Sequence, residues 1–77
     1  MTAENERVLF DRVLLELRQR TPYWAFTVEL SSGRRFEVDL PDALAVRDGV
    51  AVFIAPGGHP IWFDHENVNQ IITVPAN

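Results

Sequence analysis

Four side chains between positions 59 and 66 are of the types that hold metal ions: His59, Asp64, His65 and Glu66. Imidazoles and carboxylates bind zinc at a few recurrent spacings, on one helix face or in finger-like pairs, and this set matches none of them. It is split between the loop Pro56-Gly-Gly-His-Pro60 and the turn Asp64-His-Glu-Asn67. The expectation is polar residues in two exposed loops, with no metal and no cofactor. Ser31 and Ser32 could offer a nucleophile, but they fill a turn that favours small polar residues, without a Gly-x-Ser-x-Gly elbow. Gly57-Gly58 lacks the lysine and following helix that a phosphate loop needs. No residue is assigned to catalysis, and an enzyme is not expected.

The elements around these residues are better specified. Phe26, Val28 and Leu30 alternate with Thr27 and Glu29, and Phe36, Val38 and Leu40 alternate with Arg35, Glu37 and Asp39, the period of half-buried strands. Opposed residues share a face, so the apolar sets match only if Val28 lies opposite Phe36 and Phe26 opposite Val38. That register predicts a three-residue loop, Ser31-Ser32-Gly33, with Gly33 at positive φ and Glu29 opposite Arg35.

Upstream, Phe10, Val13, Leu14 and Leu17 recur at helical spacing, with Val8 and Leu9 widening the stripe, which predicts a helix from about Thr2 to Arg20. Thr2 is its expected cap, and Thr21-Pro22 its stop. The pairs Arg7/Asp11, Arg12/Glu16 and Glu16/Arg20, four apart, predict a solvated charged face. Downstream, Leu40-Pro41-Asp42 breaks the second strand and a short strand over residues 43–47 follows. Asp48-Gly49 signals a tight hairpin into Val50–Ala55, then come strands at Ile61–Phe63 and Val68–Val74.

At 77 residues the chain is one domain (1–77), a helix over 1–21 and a barrel over 22–77. At this size folding hides only about 60% of the unfolded chain's surface, so the core is marginal. With no cysteine, no disulfide can reinforce it, and oligomerisation is the remaining common route. No apolar run approaches a membrane span and no basic start suggests a signal peptide, so a cytoplasmic protein without membrane contact is expected. The first twenty residues are neutral, and the rest carries the net charge of −4. Phosphate-binding surfaces need a positive field, which this balance does not supply.

The later strands are apolar on both sides. Val50, Val52 and Ile54 share a face that Phe53 opposes, Trp62 opposes Ile61 and Phe63, and Ile71 and Ile72 must diverge. One core cannot take both sides, so either the helix covers the second face or another subunit does. Phe53, Trp62 and Ile72 are the expected subunit-interface residues, with Phe53 and Trp62 turned away from the core.

Helix, then Pro-Tyr-x-x-Phe-x-Val-x-Leu-x-x-Gly-Arg-x-Phe-x-Val, a proline-interrupted bend, a valine-rich strand and Ile-x-Phe-Asp with Val-x-x-Ile together resemble a group of short, uncharacterised bacterial and phage proteins with an Sm-like, SH3-type barrel. Leu30-x-x-Gly33-x-x-Phe36 and Leu40 match the first strands of the wider Sm pattern. Val38 stands where that pattern has a second glycine, and Leu44 and Asp48 where it has aspartate and asparagine. The resemblance implies a mainly β fold, a small barrel of five or six antiparallel strands behind an amino-terminal helix. It also implies a homo-oligomeric ring of about five to seven subunits acting as a non-catalytic structural or interaction module, with no small-molecule substrate. The alternative is RNA or single-stranded nucleic-acid binding by the ring, with Trp24, Arg34, Arg35 and Arg47 as contacts and Tyr23 and Trp62 as further stacking platforms.

Overall fold

A computed structural model describes residues 2–73. Helix α1 (Ala3–Gln19) is followed by strands β1 (Phe26–Leu30) and β2 (Arg35–Val38), a 3-10 turn (Pro41–Ala43), then β3 (Leu44–Arg47), β4 (Val50–Ala55), β5 (His59–Asp64) and β6 (Val68–Thr73). The fold is mainly β, with six antiparallel strands in two three-stranded sheets ordered β2-β1-β6 and β3-β4-β5. The expected closed barrel is not formed among the described residues. β5 and β6 are each a sheet edge, and the bend at Leu40–Pro41 separates β2 from β3, because proline has no N–H to continue a ladder. Val74, expected to end the last strand, lies outside the described residues.

Thr2 caps α1 as expected, its Oγ1 accepting from the Asn5 N–H at 3.2 Å. Phe10 and Leu14 are buried, while Val8 and Leu9, expected to widen the buried stripe, stay about half exposed. The three expected i,i+4 ion pairs are not within ion-pair distance among the described residues. Asp11 instead accepts the Gly49 N–H at 2.8 Å, and Arg18 Nε donates to the Pro41 carbonyl at 2.8 Å. These bonds dock the helix on the β3–β4 turn and on the 3-10 turn.

The β1–β2 hairpin takes the predicted register, with Val28 opposite Phe36, Phe26 opposite Val38 and Glu29 opposite Arg35. Its three-residue loop puts Gly33 at φ +90°. The ladder stops at Val38, so Leu40, read as the last apolar strand position, is exposed. Asp48 and Gly49 both have positive φ (53° and 81°), the geometry of the tightest hairpin turns. A side chain on Gly49 would place its Cβ 2.5 Å from Arg7 Cγ and 3.0 Å from His65 Nδ1.

The core lies between the sheets and beneath α1. Phe36 of one sheet stacks on Phe53 of the other, centroids 4.8 Å apart, and Phe10 meets Phe63 edge-on at 6.1 Å. Leu14, Val28, Val38 and Leu44 are almost wholly buried in the same cluster. Just past the β1–β6 ladder, Ser31 donates to the Asn67 carbonyl from both its backbone N–H, at 2.6 Å, and its Oγ, at 3.0 Å.

Candidate functional site

Each sheet has an outward face, and the two differ in chemistry. On β2-β1-β6 the register aligns Arg35, Glu29 and Gln70 in one row and Glu37, Thr27 and Ile72 in the next. Between Glu29 and Leu30 the β1–β6 ladder slips by one residue. Neighbouring strand residues normally point to opposite faces, and this bulge lets consecutive side chains reach one carboxylate. Asn69 Nδ2 and Gln70 Nε2 both donate to Glu29 Oε1, while Arg35 Nε donates to Oε2 at 2.7 Å. Those donors, Asn69 foremost and then Arg35 and Gln70, hold the Glu29 carboxyl below the usual glutamate value. The side chain faces outward yet is nearly covered by its own partners.

The outward face of β3-β4-β5 carries no such network. Its rows are Arg47, Val50 and Asp64, then Ala45, Val52 and Trp62, then Ile54 beside Pro60. Trp62 is 68% exposed, and Val50 and Ile54 are 45% exposed. Helix α1 does not cover this face, because it packs on the inner side, through Phe10 on Phe63 and Asp11 on Gly49. An apolar face ringed by polar residues is the mark of an interaction surface. A cleft of about 220 Å³ borders Trp62, lined by Leu30, Ser31, Ser32, Phe63 and Asn67.

The placement of Phe53 is a correction. It was expected on the outer face with Trp62, but it is 3% exposed and belongs to the core. The loop Pro56–Gly58 pairs Ala55 with His59 and therefore Phe53 with Ile61, which puts Phe53 on the inner side. Val50, Val52 and Ile54 are the outward residues of that strand. Ile72 does face outward, on the other sheet, and Ile71 turns to the core as divergence requires.

The expected nucleic-acid contacts are not brought together. Arg34 and Arg35 belong to the β1–β2 hairpin, and Arg35 is engaged by Glu29. Arg47 stands on the other sheet, 3.7 Å from Asp48. Trp24 is half-buried, its carbonyl accepting from Arg20 at 3.0 Å. Tyr23 donates its hydroxyl to the Val38 carbonyl at 2.6 Å, and burial, the largest influence, pushes its pKa up.

The metal-type residues are dispersed too. His59 and His65 lie at opposite ends of β5, roughly 20 Å of strand apart. His65 was expected in an exposed loop, yet its ring is only 12% exposed and lies against Phe10. Asp64 Oδ1 accepts the Glu66 and Asn67 N–H groups and shapes the turn. Among the described residues no group of three or more His, Asp or Glu side chains is placed to hold a metal ion. Ser31 and Ser32 bond within and beside their turn, and Gly57 and Gly58 close the β4–β5 hairpin at positive φ. No helix among the described residues is long and apolar enough to cross a membrane.

Compared with known protein families, with curated proteins and with solved structures, the chain matches none.

Proposed function

We propose that this chain is a non-catalytic structural or interaction module of Sm-like, SH3-type architecture that assembles with copies of itself into a ring of about five to seven subunits. The observation that carries the reading is that Trp62 and Ile72 are exposed apolar residues on β5 and β6, and that both strands are sheet edges. Unpaired edge N–H and C=O groups template pairing with another chain. Joining β5 of one subunit to β6 of the next satisfies those groups and brings Trp62 and Ile72 toward the seam. Such a contact is heterologous, and closes into a ring when the rotation per subunit allows. The element order of the hairpin, proline bend and following hairpin supports the Sm-like assignment.

Light scattering of the full chain tests this. The reading expects five to seven times the 8.8 kDa chain mass. Trp62→Asp and Ile72→Lys should each lower that mass while far-ultraviolet circular dichroism stays folded. A ring mass that both variants leave unchanged would remove the β5–β6 seam, and sub-micromolar base-dependent RNA binding would favour a nucleic-acid role.

A further inference from the structure

The outer face of β3-β4-β5 has a regularity that edge pairing does not use. In its first row a cation on β3, Arg47, and an anion on β5, Asp64, flank Val50. In its second row the small Ala45 on β3 and the large Trp62 on β5 flank Val52. Each row therefore carries opposite properties on its two sides, while Val50, Val52 and Ile54 form an apolar midline along β4.

We propose that this face docks a second copy of the same chain, sheet against sheet, about a two-fold axis running along β4. Rotation about that axis lays β4 on β4 and carries β3 of each copy over β5 of the other. Arg47 then faces the second copy's Asp64, and Trp62 seats over the second copy's Ala45, each contact occurring twice. An axis across the strands would set the charged row against Ile54 and Pro60, leaving both charges against apolar groups, which is costly. An axis about 15° off the strand direction gives the −30° angle at which twisted sheets stack.

The face is small. Three strands about 4.8 Å apart and six residues of about 3.3 Å make a patch of roughly 14 by 20 Å. A standard interface buries about 800 Å² per partner, so this dimer should form and dissociate with concentration. It shares Trp62 with the ring, whose seam lies along the edges of β5 and β6, and adds Ala45 and Val52, which the ring leaves without a role.

Sedimentation velocity of the full chain over a wide concentration range tests the docking. The expected wild-type behaviour is a two-fold association step, from monomers to a species of twice the chain mass, or from rings to paired rings. Ala45→Trp sets tryptophan against tryptophan and should weaken that step by about tenfold or more. The double variant Ala45→Trp with Trp62→Ala exchanges the large and small partners and should recover it. Val52→Arg, on the axis, meets its own charge and should abolish it, with circular dichroism checking that the fold persists. Retention of the step in Ala45→Trp and Val52→Arg overturns the proposal, and loss without recovery in the double variant overturns the Ala45–Trp62 apposition. A ring of five to seven with no two-fold step overturns the dimer and keeps the ring, a dimer without a ring does the reverse, and a monomer throughout removes both.

Discussion

The outward faces of the two sheets solve one problem in opposite ways. On β2-β1-β6, Glu29 is surrounded by Arg35, Asn69 and Gln70, so the face closes with bonds inside the molecule. On β3-β4-β5, Val50, Ile54 and Trp62 stand in water, with none of the described residues over them. The Glu29 row of the first face needs no partner, and the second face is satisfied only when something apolar covers it. Outward position alone therefore does not mark an interaction surface. What matters is whether the outward side chains find their complement at home.

The largest effect should come from the inner side of the apolar sheet. Phe53→Ala removes a buried ring stacked on Phe36 and should cost about 3–5 kcal/mol, comparable with the whole stability of so small a domain. Denaturant unfolding should show the variant largely unfolded, and a Phe53→Ala protein near wild-type stability would mean that the ring is not core. In the polar sheet's hairpin, Gly33→Val meets no neighbouring atom but forces a β-branched residue to φ +90°. A loss of about 1–2 kcal/mol is expected, read as a melting temperature several degrees lower.

Acid should then separate the polar face from the apolar one. Free glutamate titrates near 4.3, and Glu29 in the fold keeps its charge to lower pH. Its contribution is complete above the unfolded value and fades as pH falls through the lower folded one. Glu29→Gln should lower the melting temperature at neutral pH and flatten its decline below about pH 4.3. An equal acid slope in the variant would show that the carboxylate does not hold β6 on β1. The smallest effect belongs to Trp62→Ala, which should change monomer stability by no more than about 0.5 kcal/mol, measured at a concentration too low for association.

How much of this was readable in the residues depends on what fixed each feature. The β1–β2 hairpin was legible because its strands are polar on one side, so a single register matches both apolar sets. The Thr2 cap and the Asp48-Gly49 turn are local, set by backbone chemistry within a few residues. In β4, Val50-Ala-Val-Phe-Ile-Ala55, both sides are apolar and hydropathy favours the three β-branched residues as the core side. Only the pairing of Phe53 with Ile61, imposed by the Pro56–Gly58 loop, reverses that choice. The Glu29 network depends on a bulge opposite residues about forty positions away, which no local pattern encodes. His65 looked like a loop residue because Phe10, its cover, comes from the far end of the chain. Barrel closure failed as an expectation because alternation marks strands but does not say which edges meet.

Trp62 itself offers the most direct test that a copy of the chain covers the apolar face. Replacing the half-buried Trp24 by phenylalanine leaves Trp62 as the sole tryptophan, and its emission reports whether water surrounds it. Emission typical of an exposed indole is expected at high dilution, shifting to shorter wavelength as concentration and mass rise together. Emission that stays at the exposed wavelength while the protein associates, or a protein that remains an 8.8 kDa monomer at every concentration, would contradict that coverage.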